Sequence, residues 1–180
     1  MTDQTITIRR LSPPEAQALV PALASVLIDC VDGGASVSFM LPLSTDRAQA
    51  FWRSVSNGVE AGDRALLVAE DADGVLGTVQ VILGQPENQP HRADIAKMLV
   101  HRRARRRGIG ARLMQAAEQT ACEEGKTLLV LDTATGGDAE RLYQRRGWQR
   151  VGVIPGFALW PDGRPCATTY YFKEIEAPAD

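Results

Sequence analysis

Apolar residues change their spacing several times along this chain, and each change marks an element. Residues 5–11 (TITIRRL) alternate apolar and polar side chains, a period of two that predicts a strand. Ser12 then precedes Pro13, with Glu15 three residues after the serine. That spacing is a capping box with proline at the first helical position, so a helix is expected to start there. Ala16, Leu19, Val20, Leu23, Val26, Leu27 and Cys30 follow on one face at helical spacing. One long helix is expected, kinked by Pro21 and ended by Gly33-Gly34. A loop over residues 35–43 leads to Ser44 and a second helix reaching about residue 61. Its apolar side carries Ala48, Phe51, Trp52, Val55 and Val59.

Strand-like runs come next. Residues 65–70 and 75–83 flank Asp71-Ala72-Asp73-Gly74, a turn with glycine at its end. A polar loop, 84–91, precedes a third strand at 93–100. An arginine-rich glycine loop then opens a helix over 110–124, stopped by Gly125. Residues 128–132 form a short apolar strand, and 138–146 a helix ending at Gly147. Strands at 149–154 and 168–174 close the chain around a Pro/Gly-rich loop at 155–165. The order β-α-α-β-β-β-α-β-α-β-β joins the middle strands by tight turns and the later ones by helices. It predicts a mixed α/β fold, a sheet of about seven strands with helices on its faces. One domain covering residues 1–180 is expected.

Composition narrows the function classes. Of 180 residues, 44% are hydrophobic and 23% charged, which suits a packed core. The formal net charge of -2 gives no general pull toward nucleic acid. Cys30, Cys122 and Cys166 are far apart and include no CxxC pair. His91 and His101 lack a metal-ligand spacing, so neither a disulfide framework nor a metal site is expected. The opening MTDQTITIRR has no apolar signal core, and no run approaches the ~20 apolar residues that span a bilayer. A cytoplasmic protein without a membrane partner is expected.

The chemistry concentrates in residues 98–114, MLVHRRARRRGIGARLM. A strand ends at Val100, and Arg105-Arg106-Arg107-Gly108-Ile109-Gly110 opens a helix. Glycines there let backbone N–H groups approach an anion, and the helix dipole favours negative charge. Six arginines between Arg102 and Arg112 would add counter-charge. A dinucleotide fingerprint would need a third glycine where Leu113 stands. Gly125-Lys126-Thr127 lacks the first P-loop glycine and runs from helix to strand, the wrong direction. What remains is Arg/Gln-x-x-Gly-x-Gly/Ala after a strand; a solvated basic turn has the same composition. This pattern resembles the coenzyme A pyrophosphate loop of the GNAT N-acetyltransferase superfamily.

The resemblance extends through LLVLDT and AERLYQRRGWQRVG. It implies a GNAT-like central twisted sheet with helices on both faces, and acetyl-CoA as cosubstrate. It assigns Arg105, Arg106, Arg107, Gly108, Ile109 and Gly110 to the pyrophosphate. Met98, Leu99 and Val100 are assigned to the pantetheine arm, on a strand that splays from its neighbour. Tyr143 falls at the position facing the coenzyme's sulfur, where a phenol can donate to a departing thiolate. The alternative for Tyr143 is a core tyrosine between helix and sheet. Asp132, ending an apolar strand, either orients the amine and takes its proton or caps the turn at 133–137. Glu87, Asp94 and Glu140 are weaker candidates for the base. A narrower likeness, to the tabtoxin-resistance type of GNAT enzyme, rests on GGASVSFM (33–40), LDT and VIPGFALWPDGRPCATTYYFK. It implies a small-molecule amine acceptor, an amino-acid-like compound, antibiotic or toxin. Ser36, Ser38, Phe39 and Trp160 would line the acceptor side, with Tyr170 nearby. Arg164 either meets an acceptor carboxylate or stands in an exposed turn at 161–164. Acetylation of a protein N-terminus or lysine, and acetyl-CoA binding without catalysis, stay open, as does a homodimer.

Overall fold

A computed structural model describes residues 5–176. Its elements are β1 (Thr7–Arg10), α1 (Pro13–Ala18), α2 (Val20–Asp32), α3 (Thr45–Glu60), β2 (Arg64–Asp71), β3 (Gly74–Ile82) and β4 (Arg92–Val100). A 3-10 turn at Arg102–Ala104 leads to α4 (Ile109–Glu123), β5 (Leu128–Ala134), α5 (Asp138–Arg145), β6 (Gln149–Leu159) and β7 (Pro165–Glu174). The strands form one seven-stranded sheet in the order β1-β2-β3-β4-β5-β7-β6. Neighbours are antiparallel except β4 and β5, which are parallel.

Apolar alternation in the strands feeds two cores. Leu66, Val68, Val75 and Leu99 pack under α1, α2 and α3 on one face. Leu67, Leu76, Val79, Leu129 and Tyr171 pack under α4 and α5 on the other. Helices therefore cover both faces, as the element order predicts.

Two expected elements come out differently. The first helix is broken, not kinked. Ser12 and Glu15 form the capping box, with the Ser12 N–H and Oγ donating to Glu15 Oε2 at 2.8 and 2.6 Å. Pro21 has no N–H to give Gln17 and its ring crowds that carbonyl. The chain leaves helical geometry at Leu19 and restarts as α2 with Pro21 in its first turn. The second difference is β6, expected to stop at residue 154. It runs on to Leu159, with an irregularity between Ile154 and Ala158 where Gly156 takes φ +62°. β6 is the edge of the sheet, so Pro155 costs no ladder bond there.

The site is made by β4. It pairs with β5 only through Arg92–Leu128, Ala93–Leu129 and Asp94–Val130, and beyond Asp94 the strands part. On its other edge the register passes from Thr78–Leu99 to Gln80–Ala96. Lys97 and Met98 thus stand opposite the single residue Val79. This is a β-bulge, which bends a strand and raises its twist. Lys97 takes φ +49° within it, in the left-handed region that lysine seldom visits. Close approach across β3 holds the bend in place. A Cβ on Gly77 would lie 2.6 Å from the Leu99 carbonyl oxygen, so only glycine fits there.

Candidate active site

The parting of β4 and β5 opens a cleft of about 730 Å³. Arg105, in the loop before α4, lines it; the predicted cradle residues Arg106, Arg107, Gly108, Ile109 and Gly110 are not among its lining residues. Ala104, fully buried, anchors the turn after β4. Arg106 then takes φ +63° and Gly108 φ +72°. Gly108 is the N-cap of α4, and no side chain caps the helix. The Arg112 N–H is the first to reach back, to the Gly108 carbonyl at 3.2 Å. The N–H groups of Ile109, Gly110 and Ala111 have no earlier carbonyl of the helix to bind. An anion is the partner such a helix start favours. An added Cβ on Gly108 would meet nothing within 4 Å, so this face is open. Gly110 serves packing instead: its Cβ would lie 3.2 Å from Leu142 and 3.7 Å from the Met98 sulfur.

The six arginines do not all face the cleft. The Arg102 backbone N–H and Nε bind Asp29 at 2.8 and 3.0 Å. Arg103 and Arg107 stand 3.9 and 3.8 Å from the Asp71 carboxylate, whose side chain is 1% exposed. Arg112 donates to the Ile6 carbonyl. Arg105 lines the cleft, and the exposed Arg106 stands in the same loop. The counter-charge at the cradle is therefore smaller than the arginine count implies. The Arg107 side chain leans on Asp71, which leaves only its backbone to offer an anion.

The cleft is also lined by Met98, Leu99 and Val100, on the stretch of β4 that has left β5. Tyr143 and Asp132 line the same cleft. Tyr143 is only 5% exposed, its ring packed on Trp148 and Tyr171 with centroids 6.1 and 5.9 Å away. Its hydroxyl has no hydrogen-bond partner among the described residues. Burial, with the Asp132 charge and Tyr171 behind it, pushes the phenol well above its usual value. Asp132 lies two residues before the end of β5, which runs on to Ala134 past the expected stop at 132, and its Oδ2 accepts from Thr168 Oγ1 at 3.0 Å. It makes no bond to the 133–137 turn among the described residues, so the cap reading has no contact to rest on.

The weaker base candidates lie elsewhere. Glu87 is exposed on the β3–β4 loop. Asp94 is held by Arg92 and Gln85 outside the cleft. Glu140 positions α5: it accepts from the Gly136 N–H at 2.5 Å and from the Tyr171 hydroxyl at 3.0 Å. A second carboxylate, Glu118 on α4, ties down the turn after α5. It accepts from Arg146 and Lys173, both at 2.9 Å, and from the Trp148 indole at 3.0 Å. Burial alone would raise its pKa, yet these donors hold it below the usual carboxylate range.

The far wall joins two loops. Ser36 Oγ donates to the Leu159 carbonyl at 2.8 Å, and the Leu41 N–H to the Pro161 carbonyl at 3.0 Å. Ser36, Ser38, Phe39 and Trp160 line the cleft; Tyr170 does not, and packs edge-on against Phe157, which does. Three cleft residues had no signal in the sequence. Lys97 reads as an ordinary strand position until the bulge turns it. Cys30 and Cys166 also line the cleft, although the sequence places no cysteine near the reaction.

The sequence profile described as an acetyltransferase (GNAT) domain matches residues 62–150, from just before β2 into β6. The chain contains a GNAT acetyltransferase domain. That places it in the acyltransferase class of enzymes. Solved GNAT structures share its fold across nearly the whole chain. A ribosomal-protein-alanine N-acetyltransferase from Brucella melitensis is 22% identical, with TM-score 0.79 over 94% of this chain and 99% of that one. The yncA protein from Salmonella typhimurium, solved with its cofactor acetyl-CoA, is 19% identical, with TM-score 0.77 over 97% and 96%. A phosphinothricin acetyltransferase from Sinorhizobium meliloti, in complex with acetyl-CoA, is 16% identical, with TM-score 0.76 over 95% and 89%. Among the described residues, no helix of the acetyltransferase is long and apolar enough to cross a membrane.

The uncapped start of α4 fits a pyrophosphate, and Gly108 gives the sharpest test of it. Gly108→Val puts a β-branched side chain at φ +72° and into the open face before the N–H groups. Acetyl-CoA affinity is expected to fall about tenfold or more, the cost of one or more charge-assisted bonds. Calorimetric titration measures it, and wild-type affinity in the variant would remove the cradle from this loop.

Proposed function

We propose that this acetyltransferase moves the acetyl group of acetyl-CoA onto the primary amine of a small molecule, by direct transfer in a ternary complex on a single domain. Acetyl-CoA supplies the activated thioester. The backbone of Arg105–Gly110, with the Arg105 side chain, holds the pyrophosphate, and Met98, Leu99 and Val100 hold the pantetheine arm. Asp132 takes a proton from the acceptor amine, directly or through water, leaving the nitrogen lone pair free to attack. The N–C bond forms as the C–S bond breaks. The Tyr143 hydroxyl donates to the departing sulfur.

Direct transfer is supported by the state of the two cleft thiols. Cys30 is buried, its sulfur 3.6 Å from the Val100 carbonyl. Burial pushes the thiol up, so it stays protonated and is a poor nucleophile. Cys166 is also buried and directed at the Ala167 carbonyl.

The observation that carries the small-molecule reading is the seam between residues 33–40 and the β6–β7 turn. It closes the acceptor end with Phe39 and Trp160, where a protein tail would need an open groove. A phosphinothricin acetyltransferase and a ribosomal-protein-alanine acetyltransferase share this fold, so fold likeness favours neither class of acceptor. A panel assay of thiol release from acetyl-CoA separates them. Small amines are expected to turn over and basic peptides to be poor acceptors. Turnover of peptides with none of any small amine would overturn the reading.

A further inference from the structure

The cleft has two cationic side chains among the described residues, Arg105 at the cradle end and Lys97 in the β4 bulge. Lys97 is held in place at some cost. Its backbone is at φ +49°, its Nζ donates to Ser38 Oγ at 3.1 Å, and the ammonium lies 5.8 Å from the Phe51 ring centroid. A left-handed lysine is a strained choice that surrounding structure must enforce. No carboxylate lies within 4.0 Å of the ammonium among the described residues. One hydroxyl and one ring leave it with donor capacity unused. Asp132, on the facing strand, is close enough for its charge to oppose the effect of burial on Lys97, yet does not touch it.

Among the described residues Asp132 is likewise without an ion pair, and its one side-chain hydrogen bond there comes from the neutral Thr168 hydroxyl. The other cleft carboxylate, Asp138, is paired with Arg141 and exposed. One cation and one anion therefore stand apart within the cleft, each with room for a partner of opposite charge. That is the complement of a zwitterion. Arg164, the sequence's candidate for meeting a carboxylate, is 75% exposed and bound to Asp162 in the β6–β7 turn.

Building on the small-molecule reading, we propose that Lys97 binds a carboxylate of the acceptor, which makes the acceptor an amino acid or a close analogue with a free carboxylate near its amine. The amine then faces Asp132 and the carboxylate faces the bulge, so the two charges orient the nucleophile. The same arrangement disfavours an amine whose neighbouring carboxyl is an amide.

The test compares the common L-amino acids with their carboxamides as acceptors. The wild-type enzyme is expected to prefer the acid of its best pair by about 10- to 100-fold in kcat/KM, the range of a hydrogen bond to a charged group. Lys97→Met is expected to collapse that ratio toward one, while Lys97→Arg keeps most of it. A merely structural lysine would lower acids and carboxamides together and leave the ratio in place, and that result would overturn the proposal. The wild-type comparison stands even if Lys97→Met fails to fold: carboxamides or simple alkylamines accepted as well as amino acids would overturn it outright, with the small-molecule reading intact. Acetylation of peptides alone would instead remove the small-molecule reading, and this inference with it.

Discussion

Tyr143→Phe will lower kcat by about 10²- to 10⁴-fold at saturating acetyl-CoA, the range of acid catalysis by a positioned side chain. The change removes one hydroxyl from a ring packed on Trp148 and Tyr171. That hydroxyl has no partner among the described residues, so its loss strands no buried donor or acceptor, and the fold should hold. Acetyl-CoA affinity should stay near wild type, since the cradle is built by other elements. The raised pKa sharpens the expectation. Burial keeps the phenol protonated through neutral pH and above, so the proposed donor carries its proton wherever the enzyme is assayed. Its folded value lies above its unfolded one, so ionisation of Tyr143 will not limit the rate below the usual phenol range. Steady-state kinetics with a melting curve decide the matter; wild-type kcat would show Tyr143 to be packing alone.

Asp132→Asn will lower kcat/KM by about 10²-fold, again within the range of positioned acid–base groups. The amide oxygen can still accept from Thr168 Oγ1, so the end of β5 keeps its shape. What is lost is the negative charge and the ability to take a proton. A full pH series of kcat/KM on both enzymes is the measurement. An unaltered profile in the variant would put the base elsewhere and leave Asp132 as a brace for Thr168. With Asp132 and Tyr143 as the proposed base and acid of one reaction, the double variant should cost far less than the product of the two single losses.

Most elements were legible because their signals are local. The Ser12–Glu15 box, the turn at Gly74 and the stop at Gly125 act within a few residues, as does the glycine loop that begins α4. Tyr143 and Asp132 were named from their places on recognisable segments. The break at Leu19 and the length of β6 depart from the sequence pattern for opposite reasons. Pro21 breaks a helix more completely than a kink implies, whereas a proline on an edge strand breaks nothing.

Long-range pairing decided the rest. Which arginines are free depends on Asp29 and Asp71, far from the loop in sequence and adjacent only after folding. That Glu140 braces Tyr171 depends on α5 lying over β7. The joining of the two loops of the far wall depends on Ser36 meeting Leu159, 123 residues away. Lys97 is the clearest case. A strand's period of two assigns each side chain to a face, and one extra residue in the register reassigns it. Sequence by itself determined the order of elements and the glycine-led start of α4, because each follows from neighbours in the chain, while the proposed acid rests on resemblance to GNAT enzymes. Only the tertiary structure decided which charges are neutralised and which stay exposed to a substrate, because that depends on register, on where β4 leaves β5, and on what each cation finds opposite it.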